Sequence, residues 1–270
     1  FNYCASAAVA PIWAGAWSGT VTRRLSGTRR FLALYWPHLA ADRWHRTNGA
    51  ADKPIVFTAK QRGAMRIVAT CEHARGLAGL TLADARAREP DLIAIDADPA
   101  GDLRLLERIA DGCDRYTPMV AIDSDAGVTL DVTGCGDEEA IADDAATRLA
   151  AAGWQVRHAL AGTPEAAQAL ARYQTAPATD EDAAVRRLPI AALEADDETE
   201  LALRRAGLKT IGDLAARPSA PLVARFGADV GDRLARLLGK SDSRITPRRA
   251  APALVFERRF AEPIARTDYA

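Results

Sequence analysis

Asp123 and Asp125 stand two residues apart, and on a β-strand that spacing sets both carboxylates on one face. Carboxylates so placed can hold a divalent ion, which activates a hydroxyl and neutralises phosphate charge in phosphoryl transfer. Cations suited to phosphates form a second group: Arg75, and further on Arg244, Arg248, Arg249, Arg258 and Arg259, the clearest basic patch of the chain. The four cysteines, Cys4, Cys71, Cys113 and Cys135, are widely spaced, with no Cys-x-x-Cys pair and no histidine at ligand spacing. They suggest neither a zinc site nor a disulfide framework, and reduced cytoplasmic thiols are the expectation.

The element that must position the two aspartates runs over residues 116–134: a proline-led run, a small-residue turn at 125–127, and a β-branched run closed by Gly134. This reads as two strands joined by a hairpin. The stretch resembles, without a gap, the palm motif of the Y-family (translesion) DNA polymerases: Tyr-Ser-Pro-x-Val, then Ser-Ile-Asp-Glu-Ala, then Leu-Asp-Val-Thr-Gly. The resemblance implies that metals are held by the Asp-Glu pair, whose places here are taken by Ala126 and Gly127. The family's remaining metal acid comes from its first palm strand. Here the apolar run 31–36 ends at Pro37 as a buried strand would, and aligning it puts Tyr35 and Pro37 at the family's Asp-x-Asp. The resemblance therefore implies a polymerase frame with no catalytic residue and no cofactor, its metal positions being Tyr35, Ala126 and Gly127. The alternative is a divergent, active DNA-directed DNA polymerase in which Asp123 and Asp125 hold Mg²⁺ after a register shift or bulge. Asp131, inside the retained Leu-Asp-Val-Thr-Gly, reads as a turn-side hydrogen-bond acceptor.

Residues 54–58 and 66–70 form a strand pair broken by Gly63, and residues 70–85 are similar to the family's fingers segment. In that comparison Arg75 matches an arginine that touches the incoming triphosphate, while its tyrosine partner is replaced by Glu72, whose charge repels phosphate. A short strand is expected at 92–95 and a helix over 101–113. Another helix spans 140–152, with an acidic start and Gly153 at its end. After a strand at 156–160, Thr163 caps a helix that has Pro164 in its first turn. Two family lysines in this segment fall at Pro164 and Gln168. Residues 174–186 read as a linker. Beyond a helix at 198–206, residues 207–215 read as helix-turn-helix with Thr210 as N-cap, similar to the family's helix-hairpin-helix thumb. There a Gly-x-Gly turn would offer backbone N–H groups to a DNA phosphate; Glu194, Ala195 and Asp196 occupy it. Lys209, Arg244, Arg248 and Arg249 remain as expected DNA contacts.

The expected architecture is an α/β palm, a mixed sheet with helices, over 29–38 and 99–175, with a small inserted fingers region at 39–98. An all-α thumb follows at 176–243, and 244–270 form a linker and the first strand of a truncated little finger. Residues 1–28 read as a disordered leader: the apolar stretch precedes Arg23, Arg24, Arg29 and Arg30, the wrong order for secretion. With 270 residues, 49% of them hydrophobic, the chain can bury a sizeable core, and its net charge of -1 confines nucleic-acid contact to local patches. Retention of the frame without the triad resembles the ImuB-type subunit of the bacterial damage-inducible (SOS) mutasome. That resemblance implies a non-catalytic, DNA-associated adaptor in translesion synthesis and DNA repair. Its implied partners are DNA, an error-prone polymerase, a sliding clamp and a RecA-like protein, the proteins being met through C-terminal segments outside this sequence. A decayed reading frame is the bland alternative.

Overall fold

The computed structural model describes residues 29–249 apart from 50, 62, 124, 125, 177 and 179. The leader, Asp125, Arg258, Arg259 and the expected little-finger strand lie outside the described residues. Strand β1 (Phe31–Tyr35) alternates large apolar side chains to both sides, and Phe31, Leu32, Ala33 and Leu34 are all buried. Such a strand has to be covered on both faces, and this one lies inside a four-stranded sheet. Helix α1 (Leu39–Asn48) leads to a second, three-stranded sheet built from β2 (Ile55–Gln61), β3 (Ala64–Thr70) and β4 (Ile93–Asp96). Its order is β3-β2-β4, with β2 and β3 antiparallel and β2 and β4 parallel. Gly63, with φ of +81°, makes the β2–β3 turn. Between β3 and β4, Thr81 caps α2 (Leu82–Arg88) by accepting from the Asp84 N–H.

The chain then returns to the first sheet through α3 (Pro99–Cys113), capped by Asp98. Strands β5 (Val120–Asp123) and β6 (Gly127–Asp131) follow, then α4 (Glu138–Ala151), β7 (Arg157–Ala161) and α5 (Pro164–Tyr173). The order is β5-β6-β1-β7, every pair antiparallel. Leu32, Leu34, Trp36, Val128 and Leu130 face α3 and α4, while Phe31 and Ala33 face α5 and the helices beyond it. At the end of β6, Asp131 accepts from the Thr133 N–H at 3.0 Å, the local bond its position suggests.

Residues 174–186 are not simply a linker. Asp180 accepts from the Ala183 N–H and starts α6 (Glu181–Arg187), which buries Ala184 and Val185. Composition concealed this helix, because its apolar face is only two residues wide. A bundle follows: α7 (Asp197–Arg205), α8 (Ile211–Ala215), α9 (Ser219–Phe226) and α10 (Ala228–Leu237). The turn into α8 shows why its residues are spaced as they are. Thr210 and Asp213 form a reciprocal capping box, and Ile211 N donates to Leu188 O at 2.9 Å. A Cβ on Gly212 would stand 3.0 Å from Arg186 O, so a larger residue would crowd α6. Leu203, Ile211 and Leu214 are fully buried in the cluster that also holds Phe31 and Leu170, so bundle and sheet share one core. Each such side chain contributes about 1.5–3 kcal/mol through burial.

Asp42, on the first turn of α1, is half-buried, and desolvation pushes its pKa up to about 6 against the pull of His45, the Gln155 N–H and Arg46. Because the unfolded carboxyl ionises near 3.8, the native state loses stability as pH rises between roughly 4 and 6. Asp42→Asn is expected to stabilise the fold by about 1–2 kcal/mol at pH 7, allowing for solvent screening, and to be neutral at pH 4. Urea midpoints of both proteins at the two pH values decide it; a pH-independent difference would dismiss the carboxyl as the cause.

Candidate site at the β5–β6 hairpin

Asp123 pairs with Gly127 to close the hairpin, and Gly127 in turn lies opposite Tyr35 on β1. Ala126 holds a left-handed φ of +78°, and its carbonyl accepts from the Trp36 N–H at 2.9 Å, which ties the turn to the end of β1. For alanine that conformation costs roughly 1–2 kcal/mol. The fold thus brings together Tyr35, Ala126 and Gly127, the three positions that the motif resemblance sets against the polymerase acids. None of them is an acid. The described carboxylate nearest this corner is Asp123, whose Oδ2 would lie 2.9 Å from a Cβ at Gly127. Asp125 is outside the described residues.

A guanidinium from α5 fills the corner. Arg172 donates through Nη2 to Asp123 and through Nη1 to Glu194, and its central carbon lies 5.3 Å from the Tyr35 ring centroid. The Arg172 and Asp123 side chains are only 7% and 13% exposed, so the pair interacts with little solvent screening. Tyr35 offers the cation its ring face, a further attraction. On the other side of Tyr35 stands Arg157, which donates to the Arg172 carbonyl at 2.8 Å and to that of Gln174, satisfying the C-terminal end of α5. Burial lowers the Arg157 pKa, and the nearby charge of Arg75 lowers it further. Desolvation likewise lowers the pKa of His38, whose Nδ1 meets the Thr70 carbonyl at 2.8 Å.

Arg172 carries no motif that marks it in the sequence. The available signal was its place four residues after Gln168, on the same face of α5; Gln168 itself donates to Thr129 Oγ1 at 3.0 Å beneath the hairpin. Among the described residues no group of three His, Cys, Asp or Glu side chains could hold a metal ion. The described donors at the corner do not fit a divalent cation either, because the Asp123 carboxylate is engaged by a guanidinium that would repel it.

The other expected contacts are dispersed. Arg75 lies in a 3-10 turn after β3, largely exposed, and meets Glu72 at 3.4 Å. Lys209 is exposed at the turn before α8, while Arg244 is largely exposed and 3.5 Å from Asp242. Arg248 and Arg249 do not form an open basic patch. Arg248 reaches Asp111 and Asp114 at 2.7 and 2.9 Å, and Arg249 meets the same two carboxylates at the end of α3. The Arg248 N–H also donates to Val120 O at 2.9 Å, covering the edge of β5. At the start of the bundle, Glu194 takes φ of +52°, and the Asp196 carboxylate accepts from the Glu198 and Thr199 N–H groups. The backbone donors that would otherwise face an anion are thereby already occupied, and those bonds hold the Asp196 carboxyl below its usual range.

No family model matches the chain. Two curated relatives, Protein ImuB from the NA1000 / CB15N strain and from the CB 15 strain of Caulobacter vibrioides, are each 42% identical over 195 residues. The match covers 69% of this chain and 43% of each relative, so the chain spans less than half their length. Among solved structures, DinB from Sulfolobus solfataricus is similar at a TM-score of 0.66 and 16% identity, over 81% of this chain and 69% of that one. The insertion ternary complex of Dbh DNA polymerase is similar at 0.66 and 16%, over 80% and 69%. At such identities the likeness is one of fold.

Proposed function

We propose, for a chain that is a Y-family polymerase-like protein close to ImuB, the role of a non-catalytic, DNA-associated adaptor in damage-induced translesion synthesis. The observation that carries this reading is Arg172 seated on Asp123 beside Tyr35, at the corner where a polymerase of this fold would gather carboxylates around metal. In this reading the four-stranded sheet is the palm, the three-stranded sheet the fingers and α6 to α10 the thumb, with a linker to a little finger from residue 244. DNA would be met through Lys209, Arg244 and the exposed side of Arg249, with Arg75 as a remnant of triphosphate contact. Protein partners would be an error-prone polymerase, a sliding clamp and a RecA-like protein, in the cytoplasm. Among the described residues no helix is long and apolar enough to cross a membrane.

Primer extension with Mg²⁺ or Mn²⁺ tests the proposal. The expected result is duplex binding that weakens with salt and no nucleotide addition. Extension that disappears in Asp125→Ala would overturn it and establish a divergent active polymerase.

A further inference from the structure

On the face of the four-stranded sheet turned away from Arg172, α3 and α4 leave between them a groove of about 470 Å³. Its floor is apolar, made by Ile109, Tyr116 and Leu149, and its rim carries Arg108, Arg115 and Arg148. Tyr116 is fixed in place, its hydroxyl donating to Asp144 at 2.6 Å while Arg148 meets the same carboxylate at 2.7 Å. That one acid is set against three cations. Arg108 and Arg115 are exposed and have no ion-pair partner among the described residues. The carboxylates at the end of α3 that could offset them, Asp111 and Asp114, are engaged by Arg248 and Arg249. The wall is also open at Gly112, where an added Cβ would meet nothing within 4 Å.

We propose that this groove is a docking site for an acidic, amphipathic peptide segment of a partner protein. Large apolar side chains would lie on Ile109, Tyr116 and Leu149, with carboxylates meeting Arg108 and Arg115. The charge favours an acidic partner. The apolar floor between the cations distinguishes it from a nucleic acid track, which needs cations in succession along phosphates. A peptide buries its apolar side chains in such a floor and pairs its charges at the rim, where they set selectivity and the rate of association.

The test uses the full chain and a fluorescein-labelled peptide in which Leu-Phe pairs alternate with Glu pairs, followed by fluorescence anisotropy. Saturable binding is expected, together with a loss of about tenfold or more in Arg108→Glu/Arg115→Glu, since like charges then oppose each other. Gly112→Leu should block the groove to a similar degree while its melting temperature holds or rises, because leucine is the better helix former. That pairing of lost binding with retained stability separates a docking site from a folding defect. The proposal is overturned if the peptide shows no saturable binding, if the version with Lys in place of Glu binds as well, or if the variants bind normally. It is equally overturned if labelled oligothymidylate competes for the groove and loses affinity in the same variants, which would make the surface a nucleic-acid contact.

Discussion

Arg172→Met is expected to lower the stability of the fold by about 3–5 kcal/mol, the cost of stranding a buried charge when its partner is removed. Asp123 is the group left behind, with its side chain 13% exposed and its carboxylate packed against the β6 backbone at Gly127. Glu194, 40% exposed, recovers hydration and adds less. For a domain of this size the loss should appear as roughly 2–4 °C in melting temperature per kcal/mol. Arg172→Lys should fall between, because one ammonium cannot copy a fork that meets two carboxylates and lies over the Tyr35 ring. Pairing Arg172→Met with Asp123→Asn should recover part of the loss, since the unpaired charge is then gone as well. Urea unfolding of the parent chain, Arg172→Met, Asp123→Asn and the double variant measures the coupling directly. A loss below about 1 kcal/mol for Arg172→Met would show that the contact behaves as a surface ion pair and that the corner is not held by it.

The clasp joins elements far apart in the chain, which is why the sequence did not disclose it. Local features were legible. The apolar run of β1, the caps at Thr163 and Thr210, and the Asp131 turn bond each depend on neighbours within a few residues. The hairpin was legible because its motif is long and ungapped. Asp123, by contrast, is 49 residues from Arg172, and Arg248 is 134 residues from Asp114. No periodicity encodes such separations. Arg248 and Arg249, two members of the expected basic patch, tie the segment after α10 to the end of α3, and a charge count along the chain cannot register carboxylates supplied from elsewhere. The same holds at the bundle's first turn, where Glu194 and Asp196 read as residues in the place of a phosphate-binding Gly-x-Gly turn, yet one closes on Arg172 and the other caps α7.

Restoring the two family acids on the hairpin should have opposite effects at adjacent positions. Ala126 already occupies the left-handed region at φ of +78°, which Asp adopts more readily than Ala, so Ala126→Asp is expected to be neutral or to stabilise by a few tenths of a kcal/mol. Gly127→Glu should destabilise by about 1–3 kcal/mol, the usual cost of forcing atoms into filled space. Its Cβ would meet Asp123 Oδ2 at 2.9 Å, Asp123 Cβ at 3.1 Å and Leu34 O at 3.3 Å. Gly127→Ala isolates the steric part, and combining it with Asp123→Ala, which keeps Cβ but removes Oδ2, should relieve the tightest of those three contacts, giving a favourable coupling of about 0.5–3 kcal/mol. Neither restoration should yield primer extension while Arg172 holds the corner, because a guanidinium there excludes the divalent ion on which phosphoryl transfer depends. Should Gly127→Glu prove as stable as the parent chain, Asp123 must be free to swing aside, and the corner could then admit a second carboxylate; equal stability with unchanged Asp123–Arg172 coupling would instead mean that the backbone of β6 shifts to make the space.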